Sequence, residues 1–436
     1  MIADILRDHF NPVGRSTFWD DRTWQALRAI TRCHTAACGY HVERCQDCGT
    51  LRLHFNSCRD RHCPLCQGRE RAAWTARREA DVLPVPYFHV VCTMPHDLLD
   101  LVRWAPATCY NLLHAAATET VNTLMRDPSV LGAQPGMISV LHTWASDLGH
   151  HPHIHMIVPA GGRDPVSGCW LPCRYNRKKK RPFLVAVNRL RAKFTATLCQ
   201  HIMAAHAAGH FEAEGTERGF HTPPHLTSPR DVRKVLSISR RQPWVVYIKR
   251  PFGDPRVLIR YLARYTHRTA IAPGRITAYD GQQVTFLARV HNRYHMRPVT
   301  MPAQEFTRRF ALHVLPRGFH RIRHCGFLAN AVRQRNVAAI RAQLAPPPPR
   351  HVPPAVAPAL CAPTPSAAGP DPQRDPERQD DGNAQSTPVQ PAQAPPPRTC
   401  PHCGGLMYVA LVIPPGDKPP QSQSHARPGR SVGGSG

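Results

Sequence analysis

Apolar positions recur along this chain at two spacings, and the alternation between them outlines its elements. Three- and four-residue spacing from Trp19 to Ile30, through the charged, alanine-rich stretch 69–80, across 97–127 and again over 187–209 predicts helices. Between them lie runs rich in β-branched and aromatic residues. The stretches 87–95 (YFHVVCTMP), 137–147 (MISVLHTWASD), 150–162 (HHPHIHMIVPAGG) and 244–252 (WVVYIKRPF) predict strands, and 278–290 predicts a hairpin turning at Asp280-Gly281. Helical spacing returns at Val257, Leu258, Tyr261, Leu262 and Tyr265. Strands joined by short loops and interrupted by helices place residues 85–343 in the α+β class, with a mostly antiparallel sheet.

Beyond Leu344 the periodicity stops. The stretch 344–398 is rich in proline and poor in aromatics, which predicts an extended or disordered linker. It leads into a tail, 399–436, that opens on the half-motif Cys400-x-x-Cys403. No internal repeat is visible.

Composition narrows the class. A chain of 436 residues, 42% hydrophobic, has room for two or three domains with ample cores. Lys and Arg total 56 against 29 acidic residues, a formal charge of +27. Such an excess favours a polyanion, nucleic acid, as partner through phosphate neutralisation, although a generally Arg-rich surface would give the same total. No stretch approaches the roughly 18–20 apolar residues of a membrane helix, and the start MIADILRDHFNP does not resemble a signal peptide. The expectation is a cytoplasmic, nucleoid-associated protein.

Seven of the 16 cysteines fall between Cys33 and Cys66. In a reducing compartment such clustering reads as metal ligation. Cys45-x-x-Cys48 and Cys63-x-x-Cys66, 14 residues apart, approximate the spacing of a zinc ribbon, in which two CxxC turns complete a tetrahedral thiolate site. Cys33, His34, Cys38, His41, Cys58 and His62 lie near enough to compete as ligands or to build a second site. Cys400 and Cys403 form half a site that borrows ligands, is truncated or binds nothing. Arg59, Arg61 and Arg69 surround the module with positive charge, as DNA docking requires and as a solvated face would also show.

Two further patterns carry candidate chemistry. In His153-Ile154-His155, strand alternation turns both imidazoles to one face, where they can hold a divalent cation; a polar surface pair has the same pattern. If 139–144 pairs antiparallel with 152–158, His142 comes beside that face as a third ligand, ahead of Asp147 and His267. Tyr261 and Tyr265 stand four apart, one turn above the other on a helix, as paired nucleophiles or as the border of a core stripe. Arg264 and Arg268 flank them, and Lys178, Lys179 and Lys180 form a basic run suited to backbone phosphates.

Five collinear segments give these patterns a family context. HVERCQDCGTLRLHFNSCRDRHCPLCQG, VLPVPYFHVVCTMPHDL, LHTWASDLGHHPHIHMIVPAGG, VLIRYLARYTHRTAIAP and EFTRRFALHVLPRGFHRIRHCGFLAN resemble the transposases of the insertion sequence 91 family, the two-tyrosine rolling-circle group of the HUH endonucleases. The resemblance runs from about residue 10 to about residue 335. It implies an N-terminal zinc-binding, DNA-docking domain (1–84) with structural Zn2+, followed by an HUH endonuclease domain (85–343) whose central antiparallel sheet is flanked by helices. It further implies His153 and His155 as ligands of a catalytic Mg2+ or Mn2+, Tyr261 and Tyr265 as nucleophiles, and single-stranded element ends and target DNA as partners. The implied activity is nicking and rejoining of DNA through a 5′-phosphotyrosine in rolling-circle transposition. A decayed zinc-dependent DNA-binding protein, or a replication initiator or relaxase of the same superfamily, is the alternative. Cys325 departs from the family pattern, standing where an aromatic is expected.

Overall fold

The computed structural model describes residues 1–10, 19–79, 81–178, 180–219, 221, 223, 226–252, 270–289, 295–345 and 398–415. The chain divides into two units. The larger comprises Met1–Glu43, Arg52–Leu344 and Val409–Gly436; the smaller comprises Arg44–Leu51 and Ala345–Tyr408.

The larger unit opens with α1 (Ile2–His9) and α2 (Asp21–Arg32). Asp20 caps α2 by accepting a hydrogen bond from the Thr23 N–H at 2.8 Å, and Cys33 ends it in an extended conformation. Strands β1 (Tyr40–Cys45) and β2 (Leu51–Phe55) precede α3 (Gly68–Glu79). The main sheet draws on β3 (Tyr87–Thr93), β4 (Gly136–Trp144), β5 (His150–Pro159), β10 (Val246–Phe252) and β14 (Ile322–Gly326), in the order β10-β3-β5-β4-β14. Every neighbouring pair is antiparallel. Two short hairpins follow β5: β6 with β7 (Gly161–Arg163, Trp170–Pro172) and β8 with β9 (Tyr175–Asn176, Arg181–Pro182). A second antiparallel sheet is built by β11 (Ile276–Tyr279), β12 (Gln283–Arg289) and β13 (Met296–Pro302).

Helices cover the main sheet unequally. On one face, α4 (Leu99–Trp104), α5 (Pro106–Arg126), α6 (Val187–Ala207), α7 (His210–Glu217) and α8 (Pro229–Ser239) supply a continuous apolar cluster. There Leu113, Ala117 and Val121 of α5 join Leu141, Ile154 and Met156, the inward residues of β4 and β5. On the other face, Trp74 of α3 and Val337 and Ile340 of the C-terminal helix, α10 (Arg333–Leu344), cluster with Ile138, Val140 and Ile157. Period-two alternation forces this division: Ile154 and Met156 point one way while His153, His155 and Ile157 point the other.

The structure refines one expectation and adds two features. The helical stretch 97–127 is two helices, broken at Ala105 where Pro106 opens α5; proline suits a first turn and cannot donate within a helix interior. Residues from both sides of position 84 share one core. Ile5 and Leu6 of α1 and Leu27 and Ile30 of α2 share one cluster with Phe286 of β12 and Phe306 and Phe310 of α9 (Ala303–Ala311). The edge strand β14 was not read from the sequence, since its polar residues disguise it. It ends at Gly326, whose φ of +63° and close approach to the Pro135 carbonyl exclude a side chain. Among the described residues, no helix is long and apolar enough to cross a membrane.

Candidate functional site

Three imidazoles converge on the sheet face that also carries Val140 and Ile157. His142 on β4 is the cross-strand partner of His153 on β5, and Val140 pairs with His155, so alternation places His142, His153 and His155 on one face. Ring centroids lie 5.3 Å apart for His142 and His153, 4.3 Å for His142 and His155, and 4.7 Å for His153 and His155. One nitrogen of each ring falls within 4.8 Å of one nitrogen of the others. Asp147, the other candidate among the described residues, spends Oδ1 on the Gly149 N–H at 3.0 Å and is outside this group.

Hydrogen bonds orient two of the three rings. His153 Nδ1 donates to the His151 carbonyl at 2.6 Å, and His155 Nδ1 is paired with His89 Nε2 at 2.7 Å. In both rings a hydrogen bond at Nδ1 orients the imidazole, as it does in metal-binding histidines. Burial pushes His153 down to about 4 and His89 to about 3, and drives His155 well below its ordinary range. Neutral imidazole is the ligating form, so the donor set fits a divalent cation. His89 was missed in the sequence. It lies in a run that reads only as a buried strand, and the register Val91↔His155 is what brings it alongside.

The cysteines partition differently from the expected set of Cys45, Cys48, Cys63 and Cys66. Cys63 and Cys66 group with Cys33 and Cys58, all four sulfurs within 4.8 Å of one another, with Cys58 and Cys66 at 3.8 Å. Cys45 and Cys48 group instead with Cys400 and Cys403. The correction has a topological cause: Cys33 ends α2 and the loop before α3 carries the other three ligands, whereas the β1–β2 turn carries Cys45 and Cys48 elsewhere. His62 is no ligand. Its Nε2 accepts from the Leu315 N–H at 3.0 Å and its Nδ1 donates to Asp60 at 3.0 Å, while Asp60 also pairs with Arg22 at 2.8 Å.

The basic residues also separate. Arg61 turns inward and donates to the carbonyls of Phe319 and Pro316 at 2.6 and 2.8 Å, which makes it a tie within the fold rather than an open phosphate contact. Arg59 is exposed at a positive φ of 57°, and Lys178 and Lys180 are exposed in the turn between β8 and β9. Tyr261, Tyr265, Arg264, Arg268, His267 and Lys179 lie outside the described residues, as does the side chain of Arg69.

Comparison with known proteins finds two family models and two transposases. A family model described as a putative transposase matches residues 136–336, and one described as a transposase zinc-binding domain matches residues 5–94. The putative transposase y4qJ of Sinorhizobium fredii (strain NBRC 101917 / NGR234) is 40% identical over 342 residues, covering 78% of this chain and 83% of that protein. The transposase for insertion sequence element IS801 of Pseudomonas savastanoi pv. phaseolicola is 24% identical over 316 residues, 71% of this chain and 70% of that protein. No solved structure matches. These matches define the chain as a transposase with a zinc-binding N-terminal region. The chain belongs to the insertion sequence 91 family of transposases. Its partner is accordingly DNA, and the thiolate group Cys33, Cys58, Cys63 and Cys66 fits the structural zinc of its N-terminal region.

Proposed function

We propose that this transposase nicks and rejoins single-stranded DNA by tyrosine transesterification, with His142, His153 and His155 holding a divalent cation beside the scissile phosphate. The observation that carries the reading is the triplet of buried or half-buried imidazoles on one sheet face, two of them with Nδ1 already engaged. Bound there, Mg2+ or Mn2+ would supply positive charge to a non-bridging phosphate oxygen as in-line attack builds negative charge.

The remaining chemistry belongs to the chain. The phenolic oxygen of Tyr261 or Tyr265 forms a bond to phosphorus as the bond to the 3′-oxygen breaks. The phenol proton ends on the departing 3′-hydroxyl, and the 5′-phosphate stays on the tyrosine. One phosphoester replaces another, so no nucleotide cofactor is needed, and the sequence has no GxxxxGK[ST] loop. A second tyrosine lets one 5′ end stay attached while another phosphate is attacked, which is the requirement of rolling-circle transposition. Arg59, Arg69, Arg264, Arg268 and Lys178–Lys180 supply phosphate contacts without sequence preference.

Incubation of the purified chain with Mn2+ and single-stranded oligonucleotides carrying the element's ends tests this reading. A covalent protein–DNA adduct is expected, absent from the Y261F/Y265F double variant. Specific binding with no adduct at any end sequence would instead identify a DNA-binding protein without catalysis.

A further inference from the structure

The cysteine pair at the far end of the chain lies outside the N-terminal zinc-binding match, which stops at residue 94, whereas the cysteines it meets lie within it. Cys45 Sγ lies 3.5 Å from Cys403 Sγ, and Cys48 Sγ lies 3.7 Å from Cys400 Sγ. For tetrahedral Zn2+ with Zn–S bonds of about 2.3 Å, neighbouring sulfurs stand about 3.8 Å apart. The four sulfurs lie within 4.8 Å of one another, and all four residues belong to the smaller unit.

The two turns repeat one backbone design. Each has the sequence Cys-x-x-Cys-Gly, with the glycine in the left-handed region, φ +73° at Gly49 and +78° at Gly404. In each, the glycine N–H returns to the carbonyl of the first cysteine, at 3.2 Å for Gly49 and 2.9 Å for Gly404. The first cysteine's own N–H donates five residues ahead, to Thr50 at 2.9 Å and to Gly405 at 2.7 Å. A further bond, Gln46 N–H to the Leu406 carbonyl at 3.0 Å, joins one turn to the other. Two knuckles so matched present sulfur pairs to a shared point, as a zinc ribbon does.

We propose that Cys45, Cys48, Cys400 and Cys403 form a second structural zinc site, distinct from the one at Cys33, Cys58, Cys63 and Cys66, which ties the tail to the N-terminal region. The bound metal closes a loop spanning the 352 positions between Cys48 and Cys400. The half-motif after the proline-rich stretch is then the missing half of the Cys45-x-x-Cys48 site. The ligands of the two sites interleave along the chain, because Cys45 and Cys48 fall between Cys33 and Cys58.

Zinc content of the purified full chain tests the proposal independently of DNA chemistry. The C400S/C403S chain is expected to hold one zinc fewer than the parent, and C45S/C48S also one fewer. The chain carrying all four changes should lose no more than either pair alone. Unchanged zinc in C400S/C403S, or additive losses from the two pairs, would overturn the shared site, as would two cross-linking disulfides in the parent with no metal. In a full chain carrying an inserted protease sequence after Leu344, the cleaved tail should stay bound until a strong chelator is added. Release without chelator contradicts the tie even where a cysteine variant fails to fold.

Discussion

His89 Nε2 stands 2.7 Å from His155 Nδ1, with the two rings stacked at 22° and their centroids 4.9 Å apart. This contact joins two neighbouring strands of the main sheet and engages Nδ1 of His155. In the proposed function His89 is therefore the residue that positions His155 for the cation. Replacing it with alanine should weaken Mn2+ binding about 10- to 100-fold, the usual cost of removing a partner that orients a metal-bound histidine. Partial recovery is expected with H89Q, which retains polar atoms near the same place. Calorimetric Mn2+ titration reads the effect directly, and equal affinity in H89A and the parent would remove His89 from this role.

His142 completes the triplet, whereas Asp147 caps a turn. H142A should therefore raise the Mn2+ concentration needed for nicking by at least about tenfold. D147A should leave that requirement near the parent value, its loss confined to the Gly149 hydrogen bond, about 1 kcal/mol of stability. The reverse ranking in a metal titration of nicking would reassign the third ligand to Asp147.

Two buried histidines away from the triplet predict acid sensitivity. His114 Nδ1 bonds the Ser139 hydroxyl at 3.1 Å, and His313 bridges the Thr143 hydroxyl and the Leu148 carbonyl at 3.2 and 3.1 Å. Burial holds His114 at about 3 and His313 at about 4, below their ordinary 6.5. Between those values the unfolded chain binds more protons, so stability rises with pH. Their contribution is complete above about 6.5 and is lost as pH falls towards 3 to 4. At pH 5 each ring contributes about 2 kcal/mol less than at neutral pH. Thermal melting between pH 7.5 and 5 should show a falling midpoint, with a shallower slope in H114Q. A midpoint independent of pH over that range would contradict this account.

Arg61 looks from its sequence context like a DNA contact, yet its guanidinium serves two backbone carbonyls. R61A should cost stability, about 1.5–3 kcal/mol for each charge-assisted bond lost. Lysine should not restore it, because an ammonium cannot reproduce the planar fork. DNA affinity per folded molecule should stay close to the parent's. A salt-dependent loss of affinity with an unchanged melting temperature would return Arg61 to the DNA-binding surface.

By itself the sequence determined what periodicity and local spacing can encode. The alternation in 150–162 placed His153 and His155 on one face, and the antiparallel partner strand carrying His142 followed from a short connecting loop. The clustering of cysteines between Cys33 and Cys66 pointed to metal ligation. What tertiary structure decided is what depends on contacts distant in sequence. Which cysteines share a centre turned on where α2 ends and on the return of a tail 352 positions away, and no local spacing carries that information. His89 reached His155 only through the register of β3 against β5, and Arg61 found its carbonyls beside residues 316–319 only once the chain had folded. Local pattern fixes which way a side chain points, whereas long-range packing chooses its neighbour.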